Sequence, residues 1–168
     1  VDGMMDDWVD LYSVLTDDIG DAVTESKHDA DIAAMYFAID ADYLYIMIRT
    51  TSVLLSRKNI SYSFNLYNQR QNNIMFFDLL RENNSSKYAS YKENFWPNNS
   101  KPATEWRAMY SKMIVKTGDV LEIAIPLDVL KSSPYFSDEL KFYFAARQKT
   151  SQTIIDDIEH ININFPQD

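Results

Sequence analysis

The stretch that decides the fold is DDIGDAVTESKHDADIAAMYFAIDADYLYIMI, from Asp17 to Ile48. Its second half alternates twice. Met35, Phe37 and Ile39 interleave with Ala34, Tyr36 and Ala38; then Leu44, Ile46 and Ile48 interleave with Tyr45, Met47 and Arg49. A period of two is the mark of a strand, and Asp40-Ala41-Asp42 between the runs supplies a tight turn, so the segment reads as a hairpin. Both faces of Ile32–Ile39 are apolar, which points to a central place in a sheet. The first half of the stretch is acidic. Asp17, Asp18, Asp21, Asp29, Asp31, Asp40 and Asp42 fall within 26 residues.

Working outward, the same period recurs. Tyr62, Phe64 and Leu66 alternate with polar neighbours, and Ile74–Leu80 beyond a polar turn completes a second hairpin. Glu105–Thr117 reads as one strand or two with a bulge, and Gly118-Asp119 as a turn. Leu121, Ile123 and Ile125 share one side of the next strand, which Pro126 ends. Leu127–Ser132 makes a helical turn with Leu127 and Leu130 inward. Leu140–Ala146 and Ile161–Phe165 alternate again. Residues 1–16 are a lead-in with an edge strand, anchored by Trp8, Val9, Leu11, Val14 and Leu15, Trp8 as a core plug. Residues 81–104 form a long polar excursion in which Pro97 and Pro102 discourage regular structure. Eight or nine short strands with almost no helix make an all-β fold. The expected architecture is an antiparallel two-sheet β-sandwich, jelly-roll-like, with one helical turn after the EIAIP strand.

The 168 residues suit a single domain, 1–168, and 46% hydrophobic residues suffice for a full core. The opening VDGMMDDW lacks the pattern of a signal peptide and reads as the start of a domain excised from a larger protein. Charge is local. Residues 1–42 hold 12 acidic side chains against Lys27, while the remainder is nearly balanced, so the net −9 resides at the amino end. A pI of about 4.6 disfavours nucleic acid as a partner. No apolar run reaches the length of a membrane span. The absence of Cys removes disulfides and thiol chemistry.

Crowded carboxylates raise one another's free energy. Water relieves them in solvated turns; a hard cation such as Ca²⁺ relieves them with bound oxygen ligands. Both readings stand, and the spacing does not match an EF-hand loop. Two aromatic stretches offer flat apolar faces beside amides or an arginine, as sugar rings require. One holds Tyr88, Tyr91, Phe95 and Trp96; the other holds Trp106, Arg107 and Tyr110. The alternative is that these rings pack as a lid over a sheet end. Glycoside hydrolysis needs two carboxyl groups at a set separation. Glu82, Glu93, Glu105 and Glu122 are instead scattered, so no enzyme is expected. His28 and His160 have no second His at ligand spacing and read as surface residues. No GxSxG occurs.

The ordered combination of VDGMMDDW, DDIGDA, DIAAMYFAIDADYLYIMI and LEIAIPLDVL resembles the family 9 carbohydrate-binding modules and their DOMON-like relatives. That resemblance implies an extracellular or cell-surface β-sandwich attached to larger enzymes or surface proteins. It also implies a structural Ca²⁺ near the early acidic turns. Its candidate ligands are Asp17, Asp18, Asp21 and Asp31, with a carboxylate from the Asp156-Asp157 pair, taken as Asp157. The partners it implies are a polysaccharide or oligosaccharide and neighbouring domains of a parent protein. The alternative is a structural or adhesive domain without sugar affinity.

Overall fold

A computed structural model describes residues 1–11, 15–22, 30–51, 60–68, 73–82, 85–95, 107–108, 113–132, 136–148, 151 and 153–166; for Ser61, 73–82, 85–95, 107–108, Thr117, Glu159 and His160 it describes the backbone alone. Eleven strands among them form two antiparallel sheets. They are β1 (Leu15–Thr16), β2 (Ile32–Ile39), β3 (Tyr43–Thr50), β4 (Ile60–Asn68), β5 (Asn73–Glu82), β6 (Ser85–Phe95), β7 (Arg107–Ala108), β8 (Ile114–Thr117), β9 (Leu121–Pro126), β10 (Glu139–Gln148) and β11 (Ile154–Asn164). A five-residue helix, α1 (Leu127–Lys131), follows β9. The first sheet runs β1-β2-β3-β9-β8 and the second β11-β10-β4-β5-β6-β7. The expected all-β sandwich with one helical turn is therefore the observed fold, and Leu127 and Leu130 are both buried.

The core lies between the sheets. The period-two sets meet there: Met35, Leu44, Ile46, Ile48, Leu121, Ile123 and Ile125 from the first, Phe64, Leu66, Leu140, Phe142 and Phe144 from the second. Phe142 joins the layers, stacking on Phe64 at 5.6 Å and meeting Phe37 edge-on at 5.1 Å. Phenylalanine in such a centre contributes about 3–5 kcal/mol relative to alanine. The β2–β3 hairpin is set by Asp40, whose Oδ1 accepts from the amides of Asp42 and Tyr43 at 2.8 and 2.7 Å. Those bonds hold the Asp40 carboxyl below the usual carboxylate range.

Several expectations change. β2 is not central: it is second from the edge, paired with β3 and with the two-residue β1. Its outer face is apolar because the amino-terminal segment lies across it. Trp8, in a 3-10 turn over Asp6–Trp8, packs there with Ala34, Tyr36, Met47 and Val120. Trp8 thus plugs a second, outer cluster rather than the core between the sheets. Of the other lead-in anchors, Val9 is 70% and Leu11 44% exposed, while Val14 lies outside the described residues. Within the polar excursion, residues 85–95 form β6, paired with β5; its register partners include Asp78, Leu79 and Leu80 opposite Ser90, Ala89 and Tyr88. Backbone pairing does not require an apolar face, so polar content alone masked this strand. β11 begins at Ile154, seven residues earlier than the alternation predicts. Register shifts against β10 break the period of two.

The strap formed by residues 1–11 requires two glycines. Gly3 has a φ of 90°, where side chains are strained. Its carbonyl accepts from the amide of Val120 at 3.2 Å. A Cβ at Gly118 would sit 2.5 Å from that same oxygen. Gly118→Ala should therefore cost about 1–3 kcal/mol. Chemical denaturation checks this, and an unchanged midpoint would show that the strap yields freely.

Candidate metal centre

The acidic turn at 17–21 and Asp31 meet at one end of the sandwich, whereas the Asp40–Asp42 turn lies at the other end of β2. Gly20 has a φ of 97°, closing the turn between Asp18 and Asp21. Asp31, just before β2, holds that turn in place. Its two carboxylate oxygens accept from the Gly20 amide at 3.0 and 3.1 Å, and Oδ2 also accepts from the Thr51 hydroxyl at 2.9 Å. Opposite, β11 supplies Asp156. Its backbone partner is Ala146, a core residue, whereas the next ladder pair is Ile154 with Arg147. The extra residue lets both Ile155 and Asp156 be buried. Asp156 Oδ2 accepts from the Ile32 amide at 2.7 Å, and Oδ1 from the Asp157 amide at 2.8 Å. One bond thus links the start of β2 to β11 across the two sheets.

Carboxylate oxygens of Asp17, Asp21 and Asp156 lie within 4.8 Å of one another. Asp17 follows β1, and its amide donates to Ala33 at 3.2 Å. Its Oδ1 accepts from the Asp18 amide at 3.1 Å, while Oδ2 is buried without a hydrogen-bond partner among the described residues. Burial pushes the Asp17 carboxyl up, against the Asp18 amide, and the carboxylates of Asp21, Asp18 and Asp157 push it further. Burial also raises Asp156, to about 6, assisted by Asp17 and Asp21 and opposed by the Ile32 amide. Three carboxylates from two distant parts of the chain, one of them carrying an orphaned buried oxygen, suit a hard cation.

The sequence-derived ligands distribute as follows. Asp17 and Asp21 come together. Asp31 is adjacent, with its oxygens turned to Gly20 and Thr51. Asp18 is exposed and contributes its amide to Asp17. Asp157 stands beside the cluster, and Asp156 occupies the place within it. Sequence alternation could not separate these neighbours, because the choice depends on the shift in β11 register. Tyr88, Tyr91 and Arg107 have their backbones in β6 and β7, their side chains lying outside the described residues, as do Trp96, Trp106 and Tyr110 entirely. His28 and the side chain of His160 also lie outside them.

A second carboxylate site escaped sequence reasoning. Glu122, on β9, is 1% exposed beneath the strap. Its Oε2 accepts from the amides of Asp2 and Gly3, both at 2.7 Å, and Oε1 from the Trp8 indole at 2.6 Å. The signal was present in LEIAIP: a lone carboxylate on the outer side of a strand, in a chain whose opening carries Gly3 and Trp8. Carboxylate oxygens of Asp2, Asp7 and Glu122 also approach within 4.8 Å. Here three N–H donors already answer the buried charge.

No helix among the described residues is long and apolar enough to cross a membrane. Comparison of the chain with family models, curated proteins and solved structures gives no match.

Proposed function

We propose that the chain is a non-catalytic carbohydrate-binding module, fastened by a structural calcium ion and carried by an extracellular enzyme or surface protein. Family 9 carbohydrate-binding modules and DOMON-like domains are the kind of domain meant. The observation that carries the calcium part is the convergence of Asp17, Asp21 and Asp156 with a partnerless buried oxygen on Asp17. Calcium accepts an irregular shell of oxygens, so carboxylates from a turn and a strand suit it better than they suit a metal demanding imidazole or thiolate. The ion would link the β1–β2 connection to β11 and so tie the two sheets at one end. The sugar part rests on the aromatic and amide composition around β6 and β7. Tyr88, Tyr91, Trp96, Trp106, Arg107 and Tyr110 are the residues proposed to contact it.

Affinity electrophoresis in gels containing xylan, cellulose derivatives, other β-glucans or α-glucans tests the sugar part. Retardation in at least one gel is expected, reduced by Trp96→Ala or Trp106→Ala. No retardation in any gel, with no heat on titrating the matching oligosaccharides, discards the carbohydrate and leaves calcium to its own test. A structural domain docked on a neighbour is the second reading. It is favoured by apolar side chains left in solvent, Ile19 at 72% and Val9 at 70% exposure.

A further inference from the structure

Residues 31 and 32 touch both halves of the acidic cluster. Asp31 is 3% exposed and lies just before β2. Its carbonyl accepts from the Thr51 amide at 2.9 Å, and its Oδ2 from the Thr51 hydroxyl at the same distance. These bonds fix the carboxylate to the β2–β3 ladder, where Ile32 pairs with Thr50. From there both oxygens reach the Gly20 amide. Gly20 immediately precedes Asp21, so that contact holds the backbone carrying one proposed ligand. The next residue, Ile32, donates to Asp156 Oδ2 and holds another. The carboxylates that converge among the described residues are Asp17, Asp21 and Asp156, without Asp31.

We infer that Asp31 is a positioning residue for the bound cation and not one of its ligands: with the Ile32 amide, it assembles the two sides of the site before the ion arrives. The inference rests on the calcium reading and departs from the ligand set that the family resemblance implies. Turning the Asp31 carboxylate onto the ion would break the bonds by which it holds the turn. Converging Asp17, Asp21 and Asp156 sets like charges against one another, and untethered segments would relax apart. Anchoring each side to the start of β2 opposes that relaxation. The ion then meets a preformed site, and less of its binding free energy is lost to ordering the chain.

Calcium titration calorimetry and terbium luminescence test this, terbium standing in for calcium as a hard cation of similar size. Its emission lifetimes in light and heavy water count the water molecules bound to it, a number that rises when a protein ligand is lost. The whole chain is used, well below its melting temperature, and each variant must give a native amide spectrum. The parent should bind a single ion. Asp31→Asn keeps an acceptor for Gly20, yet should weaken calcium about 10–100-fold while the water count at saturating terbium stays unchanged. Asp21→Ala, which removes a proposed ligand, should raise that count by about one or two. Thr51→Val deletes the hydroxyl that steadies Asp31 and should weaken calcium about threefold or more, again with the count unchanged. Unchanged calcium affinity in Asp31→Asn, or in Thr51→Val where Asp31→Asn does not fold, would overturn the positioning role. So would a water count that rises in Asp31→Asn as it does in Asp21→Ala. Either result leaves the calcium site standing. A parent chain that binds neither calcium nor terbium loses the site itself, and this role with it.

Discussion

Replacing Glu122 with alanine should destabilise the protein by at least about 3 kcal/mol, lowering the melting temperature by roughly 6–12 °C. The reason is the asymmetry of buried hydrogen bonding. The substitution leaves the Asp2 and Gly3 amides and the Trp8 indole without their acceptor. Donors to a charged group each contribute about 1.5–3 kcal/mol, and an unsatisfied buried donor carries a similar penalty. The loss should begin at the strap. Residues 1–11 should exchange their amide hydrogens faster than β9, and Trp8 should leave the cluster it forms with Ala34, Tyr36 and Met47. Glu122→Gln retains one carbonyl oxygen and should fall between the parent and Glu122→Ala. A Glu122→Ala protein that melts within 1 °C of the parent, with residues 1–11 still protected, would show that apolar packing of Trp8 alone holds the strap.

Calcium at 100 times its dissociation constant should stabilise the native state by about 2.7 kcal/mol, or roughly 5–10 °C in melting temperature for a chain of this size. The response should depend on pH, and the sign follows from Asp156. In metal-free protein its carboxyl titrates near 6 rather than at the usual 3.8. The protonated form is favoured by the fold, so its contribution to stability is full below the ordinary carboxylate range and is lost as pH rises through about 6. Calcium requires the ionised form. The difference between calcium-loaded and metal-free melting temperatures should therefore widen as pH rises from 5 to 7.5. Asp21→Asn should abolish most of the difference. It should also leave the metal-free protein at or above the parent's melting temperature at pH 7.5, since the Asp21 charge is among those raising Asp17 and Asp156. Superimposable melting curves with calcium and in metal-free buffer, across that pH range, would remove the ion from the proposed function.

Much of this was legible in residue order. The two alternating runs of Ile32–Thr50, the turn at Asp40 and the Leu127–Leu130 helical turn depend on neighbours a few residues away, and local pattern reports them faithfully. What local pattern misread was anything set by a remote partner. Residues 85–95 have no apolar stripe, yet they pair with β5, since strand pairing is a property of two backbones. Asp156 and Asp157 are adjacent and chemically alike; the β10–β11 register shift alone puts the first beside Asp17 and Asp21. The apolar outer face of β2 suggested a central strand because nothing nearby announced that a segment some 30 residues earlier would cover it.

By itself, then, the sequence determined the class of fold, an antiparallel sandwich with a short helical turn, and the concentration of negative charge at its amino end. Periodicity and charge are properties of the chain that survive any arrangement. The tertiary structure alone decided which carboxylates meet and which are answered: Asp17, Asp21 and Asp156 converge with one oxygen unpartnered, whereas Glu122 is buried among three donors. Electrostatic energy depends on distances and on exclusion of water, and both arise only when residues more than 100 positions apart are brought together.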